Sequence, residues 1–283
     1  MSERSQDTTN LAFQHLLARA SRTITARGLE LYASHPQKYS HLAALPFPAY
    51  IPALAEDLKT LAFIELLSLS HALFGESASG LAQHELEALR QLFYQCVWQT
   101  ASSQTWFSQE GGHARRVARI AAALAAQLGF SSFEIQEIYW GGLFHDIGKV
   151  FVGELFVALD AQGLASQVTL PFIRAHASLG ASFLESVLPL FPTALVCAAQ
   201  HQESVDGSGY PRGLKYEQLT VEGQIANVAD GYDATVTRLG WTADQVCADI
   251  QHMYARAGHP DAPVLQAFLK IVDKYHSEWY PGF

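Results

Sequence analysis

Apolar positions along this chain recur at helical rather than strand spacing. The clearest run places His113, Val117, Ile120, Ala121, Leu124 and Leu128 on one face, and Gly129 ends it. That spacing predicts an amphipathic helix with His113 turned inward. Ser131-Ser132-Phe133-Glu134 then fits a capping box opening a helix that carries Ile135, Ile138, Tyr139 and Leu143. Further helices are predicted around Pro171–Leu188, Pro192–Gln202, Val221–Thr237, Ala243–Ala257 and Ala262–Glu278. Pro171 and Pro192 suit a first turn, where a missing N–H costs nothing. Upstream, Leu11–Ala33, Ala53–Phe74 and Leu81–Gln99 also read as helices. A Pro-bearing aromatic loop (His35–Pro52) and a Gly75–Gly80 break separate them, and polar Ala101–Gln104 is the candidate linker. The expected fold class is all-α, with a smaller helical N-terminal domain over residues 1–100 and a second domain over 101–283.

Composition narrows the function more than the fold. The chain has 283 residues, 49% hydrophobic and 16% charged, enough for a large core in one or two domains. A net charge of −9 argues against DNA or RNA as a partner, because phosphate backbones need clustered Lys and Arg. It does not exclude a small anionic substrate, since a bound metal reverses the local field. Cys96, Cys197 and Cys247 form no CxxC pair and sit in apolar surroundings, as expected of buried thiols in a reducing compartment. Met1–Asn10 lacks the basic-then-apolar order of a signal peptide, and no apolar run reaches the ~18 residues of a membrane span. A cytoplasmic protein with no membrane attachment is expected.

The chemistry begins at His145-Asp146-Ile147-Gly148-Lys149. This run puts an imidazole, a carboxylate that can bridge two metals, and an ammonium that can neutralise phosphate within five residues. Singly, each candidate has a duller reading. An inward His113 can be a satisfied core residue, His176 a structural helix residue, His201 a solvated loop residue, and Asp230 an exposed or paired carboxylate. Jointly, His113, His145-Asp146, His176, His201 and Asp230 fall in order on successive predicted helices. They supply enough N and O donors for two first-row metals such as iron, manganese or zinc. Two such metals can activate water and clamp a phosphodiester.

After His201 comes Gln202-Glu203-Ser204-Val205-Asp206-Gly207-Ser208-Gly209-Tyr210-Pro211-Arg212-Gly213-Leu214. By composition alone this is a tight irregular loop. Its pattern, His-x-Glu-x-x-Asp-Gly-x-Gly-Tyr-Pro-x-Gly-Leu, resembles the HD-GYP family of bacterial cyclic di-GMP phosphodiesterases. So do the His145-Asp146 pair, the His113-x-x-Arg116-Val117 start and Val228-Ala229-Asp230. The resemblance covers roughly His113 to Leu269 and implies an HD-type helical bundle around a buried metal centre. It implies His113, His145, Asp146, His176, His201 and Asp230 as metal ligands, Asp146 and Lys149 as catalytic, and Lys149 and Arg238 as substrate contacts. The Gly209-Tyr210-Pro211 segment falls where members contact GGDEF-type diguanylate cyclases. A homodimer stays open as the assembly.

Several positions depart from the family. Gln202 stands where a second adjacent histidine is usual, and Gln109 where three-metal members carry a glutamate. Both changes favour two divalent ions, iron or manganese, over three. Val150–Phe156 replaces a Pro-containing loop, and Thr235–Gly240 replaces the usual Leu-Thr and Arg-Pro-Tyr after Asp233-Ala234. The leading expectation is hydrolysis of cyclic di-GMP to linear pGpG, with onward cleavage to GMP left open. Two alternatives stand beside it: an adaptor that binds nucleotide or a cyclase with little turnover, and a phosphohydrolase of another nucleotide.

Overall fold

A computed structural model describes residues 110–149, 165–186 and 191–280. The helices expected within 11–33, 53–74 and 81–99 and the linker at 101–104 lie outside the described residues. So do the 1–100 domain, Gln109 and the 150–156 segment. The described residues form seven α-helices: α1 (Glu110–Gln127), α2 (Ser132–Phe144), α3 (Ala165–Ser186), α4 (Pro192–Gln200), α5 (Val221–Leu239), α6 (Ala243–Arg256) and α7 (Pro263–Trp279). A short 3-10 turn, Tyr216–Gln218, precedes α5. Among the described residues there is no β-strand, only an isolated bridge between Asp206 and Lys215. The all-α class therefore holds.

Local signals explain the helix ends. At α2, Ser131 Oγ accepts from the Glu134 N–H while Glu134 Oε2 accepts from the Ser131 N–H, which is the predicted capping box. Thr220 and Thr242 cap α5 and α6 in the same way, accepting from Gly223 and Gln245. One boundary differs from expectation. Helix α3 starts at Ala165 rather than at Pro171, so the proline falls in its second turn. There it cannot donate to the Gln167 carbonyl. The helix nevertheless continues to Ser186.

Two compact units divide the chain, one of Gly112–Asp146 with Thr193–Phe283 and another containing Ile147–Pro192. In the first, α5 packs against α2, α6 and α7, and α6 against α7. Its core joins Val117, Ile120 and Leu124 of α1, Val228, Tyr232 and Val236 of α5, Val246 and Tyr254 of α6, and Phe268 and Ile271 of α7. Each such side chain contributes about 1.5–3 kcal/mol relative to exposure. In the other unit, α3 buries Ala175, Ala177, Leu179, Phe183 and Leu184. No helix among the described residues is long and apolar enough to cross a membrane.

The loop after α4 is organised around one buried carboxylate. Glu203 Oε1 accepts from the Arg212 N–H and Oε2 from the Leu214 N–H, both at 2.8 Å. Asn227 of α5 donates to the His201 and Glu203 carbonyls at 2.8 and 2.6 Å, tying the base of the loop to the helix. A Cβ on Gly209 would lie 2.3 Å from the Ser204 nitrogen and 2.4 Å from Glu203 Cα, so only glycine lets the loop fold back on its own start. Tyr210-Pro211 follows as a cis peptide.

Two outcomes test this packing. A Cβ on Gly142 would sit 2.5 Å from Ala118 Cα in α1. Gly142→Ala should therefore destabilise the protein by about 1–3 kcal/mol, read as a lowered thermal midpoint. In Glu203→Ala, the Arg212 and Leu214 amides lose charge-assisted bonds of about 1.5–3 kcal/mol each, so both should exchange hydrogen at least about tenfold faster.

Candidate metal centre

Four elements of one compact unit bring five predicted ligands together. His113 lies in the first turn of α1, His145 caps the C-terminus of α2 with Asp146 next to it, His201 directly follows α4, and Asp230 lies midway along α5. His113, His145, Asp146, His201 and Asp230 are all buried. The His113 and His145 rings meet edge to face at 5.1 Å, and the His145 and His201 rings at 4.9 Å. Their Nε2 atoms converge on the carboxylates. His113 Nε2 is 3.1 Å from Asp230 Oδ1 and 3.6 Å from Asp146 Oδ2. His145 Nε2 is 3.2 Å from Asp146 Oδ2 and 3.7 Å from Asp230 Oδ1, and His201 Nε2 is 3.3 Å from Asp146 Oδ1. Asp146 thus offers its two oxygens to different imidazoles, as a bridging carboxylate must.

The opposite ring nitrogens explain why Nε2 is the atom presented. His145 Nδ1 donates to the Gly142 carbonyl at 2.7 Å, and His201 Nδ1 to the Cys197 and Ala198 carbonyls at 3.1 and 3.0 Å. His113 Nδ1 donates to Asp233 Oδ2 at 2.7 Å. With Nδ1 committed to these acceptors, Nε2 is the nitrogen left for a cation that displaces its proton, the arrangement typical of metal-ligating histidines. The buried Nε2 of His145 makes no aligned hydrogen bond within the protein. Gln202 Nε2 donates to Asp230 Oδ2 at 3.1 Å, leaving Oδ1 toward the imidazoles. Two groups of donors lie close enough to hold a metal ion: His113, His145 and Asp230, and His145, Asp146 and His201.

Electrostatics point the same way. Burial lowers the pKa of His113, but Asp146, Asp230 and Asp233 outweigh it and raise the value from 6.5 to about 11. At His145, burial is likewise outweighed by Asp146 and Asp230, giving about 9. Burial would raise Asp230, yet His113 and His145 hold it well below its ordinary value. Carboxylates buried this way demand positive charge, which a divalent ion among neutral imidazoles supplies. The residues fit a divalent metal.

The other predicted residues are placed by the element or unit that holds each. Lys149 and His176 are both buried and belong to the unit containing Ile147–Pro192. Arg238 is exposed in the last turn of α5. Gly209, Tyr210 and Pro211 are half-buried in the loop held by Glu203. Asp233 was not among the predicted site residues, yet it orients His113. The available signal was its position three residues after Asp230 on the same helix, which places both carboxylates on neighbouring faces.

Comparison with known proteins agrees with this geometry. A family model described as an HD domain matches residues 101–264. A cyclic di-GMP phosphodiesterase of Thermotoga maritima is 30% identical over 175 residues, covering 59% of this chain and 46% of the relative. One of Pseudomonas aeruginosa is 32% identical over 167 residues, covering 58% and 39%. A 3'3'-cGAMP-specific phosphodiesterase of Vibrio cholerae is 28% identical over 197 residues, covering 66% and 36%. The chain spans less than half the length of these curated relatives. With its His145-Asp146 pair at the centre of the site and its Gly209-Tyr210-Pro211 loop in the segment after His201, the chain belongs to the HD domain family, in its HD-GYP branch.

Proposed function

We propose that this chain is a cytoplasmic, metal-dependent phosphodiesterase that opens cyclic di-GMP to linear pGpG. The observation that carries the reading is the convergence of three Nε2 atoms on Asp146 and Asp230. The similarity to phosphodiesterases of cyclic dinucleotides supports the substrate class. His113, His145, Asp146, His201 and Asp230, with His176 assigned by the resemblance, would hold two divalent ions of the iron or manganese type. Bound there, such ions supply Lewis acidity and an activated water for in-line attack on phosphorus.

The chain's own groups do the rest. Asp146 turns one oxygen toward His201 and the other toward His113 and His145, and so would be the carboxylate shared between the ions. Gln202 stands where a further imidazole would be needed for a third ion and instead donates to Asp230. That bond favours a two-metal centre. Under this reading Lys149 would offset charge on the substrate's non-bridging oxygens, and Arg238, in the last turn of α5, would be the second substrate contact. The Glu203-braced loop presents Tyr210 to a GGDEF-type partner under the same reading.

Anaerobic purification with metal analysis, followed by chromatography of cyclic di-GMP and 3'3'-cGAMP incubations, tests the proposal. About two metal ions per chain and linear product are expected. Asp146→Ala should remove the metal and lower turnover by about a thousandfold or more, the equivalent of several kcal/mol of Lewis-acid assistance. Near-normal turnover in that variant would sink the reading, and cleavage of 3'3'-cGAMP alone would reassign the substrate.

A further inference from the structure

The metal-facing side of His113 depends on a carboxylate whose lone pairs are all engaged. Asp233, fully buried, accepts from His113 Nδ1 and Arg116 Nη2 on Oδ2, at 2.7 and 3.1 Å. On Oδ1 it accepts from Arg116 Nε at 2.6 Å and from the Tyr280 hydroxyl at 2.7 Å. Four donors fill the roughly four acceptor positions of a carboxylate. Asp233 is thereby unable to turn an oxygen toward a metal, although it sits one helical turn from Asp230. Its task is to hold the proton on His113 Nδ1 and the ring in one orientation.

Tyr280 is the least expected of these donors. It lies beyond the segment matched by the family model, which ends at residue 264, and caps the C-terminus of α7. Its N–H is bonded to the His276 carbonyl, and its ring packs against Tyr232 and His276, with centroids 5.9 and 5.2 Å apart. The guanidinium of Arg116 lies over the same ring at 5.9 Å. The phenol therefore arrives at Asp233 with little freedom, and it fixes both the carboxylate and the arginine that shares it.

We propose that Tyr280 is a positioning residue of the metal centre, acting through Asp233 on His113. The inference rests on the reading of His113 as a metal ligand. Groups behind a ligand typically carry about 10–100-fold in metal affinity, and Tyr280, one step further out, should lie near the lower end.

The test uses the whole chain and Mn2+ as probe, with free ion followed by electron paramagnetic resonance. Tyr280→Phe removes only the hydroxyl and should weaken Mn2+ binding about tenfold with the helical content retained. Tyr232→Phe is the control. Its hydroxyl bonds to His276 Nδ1 at 2.6 Å within the same aromatic cluster, so its loss should leave Mn2+ affinity within about twofold while disturbing the packing equally. In an Asp233→Asn background, the Tyr280→Phe change should cost nothing more. Equal affinity of wild type and Tyr280→Phe would overturn the proposal, as would an equal loss in both tyrosine variants. A wild-type protein that binds no Mn2+ would instead remove the metal reading itself, and the role of Tyr280 with it.

Discussion

Asp146 and Asp230 are carboxylates withdrawn from water in the middle of a helical bundle, and the arrangement around them answers that cost. An isolated buried carboxylate is prohibitive, so such groups persist only when paired or bound to a metal. Here they are ringed by His113, His145 and His201, with each imidazole turned so that Nε2 rather than Nδ1 faces the centre. The turning is done by main-chain carbonyls at two histidines and by Asp233 at the third. A bundle without those acceptors could bury the same residues and still present the wrong nitrogen.

The location of this centre follows from how α5 is used. One helix supplies Asp230, places Asp233 a turn further on and sends Asn227 to the base of the Glu203 loop. Its apolar side carries Val228, Tyr232 and Val236 into the core with α6 and α7. Site and core therefore share a rigid element, and the ligand positions inherit their precision from hydrophobic packing.

Much of this was legible in the sequence because the signals are local. The face carrying His113, the Ser131 capping box and the order of the ligands can each be read within a few residues. The start of α3 was not, because a proline with helical φ reads as a beginning even where it lies in a second turn. Tyr280 had no local signal, since its partner Asp233 lies 47 residues away in sequence. Gln202 could be read as a missing ligand but not as a donor to Asp230, which requires knowing where α5 lies.

Glu203 grips the main chain at Arg212 and Leu214, not their side chains. That grip uses atoms which any residue at 212 or 214 other than proline would supply. Evolution, or an engineer, could redraw the chemistry of this edge by exchanging the exposed side chain at 212 without touching the bond that holds its amide. What holds this edge and what it displays are set by different atoms.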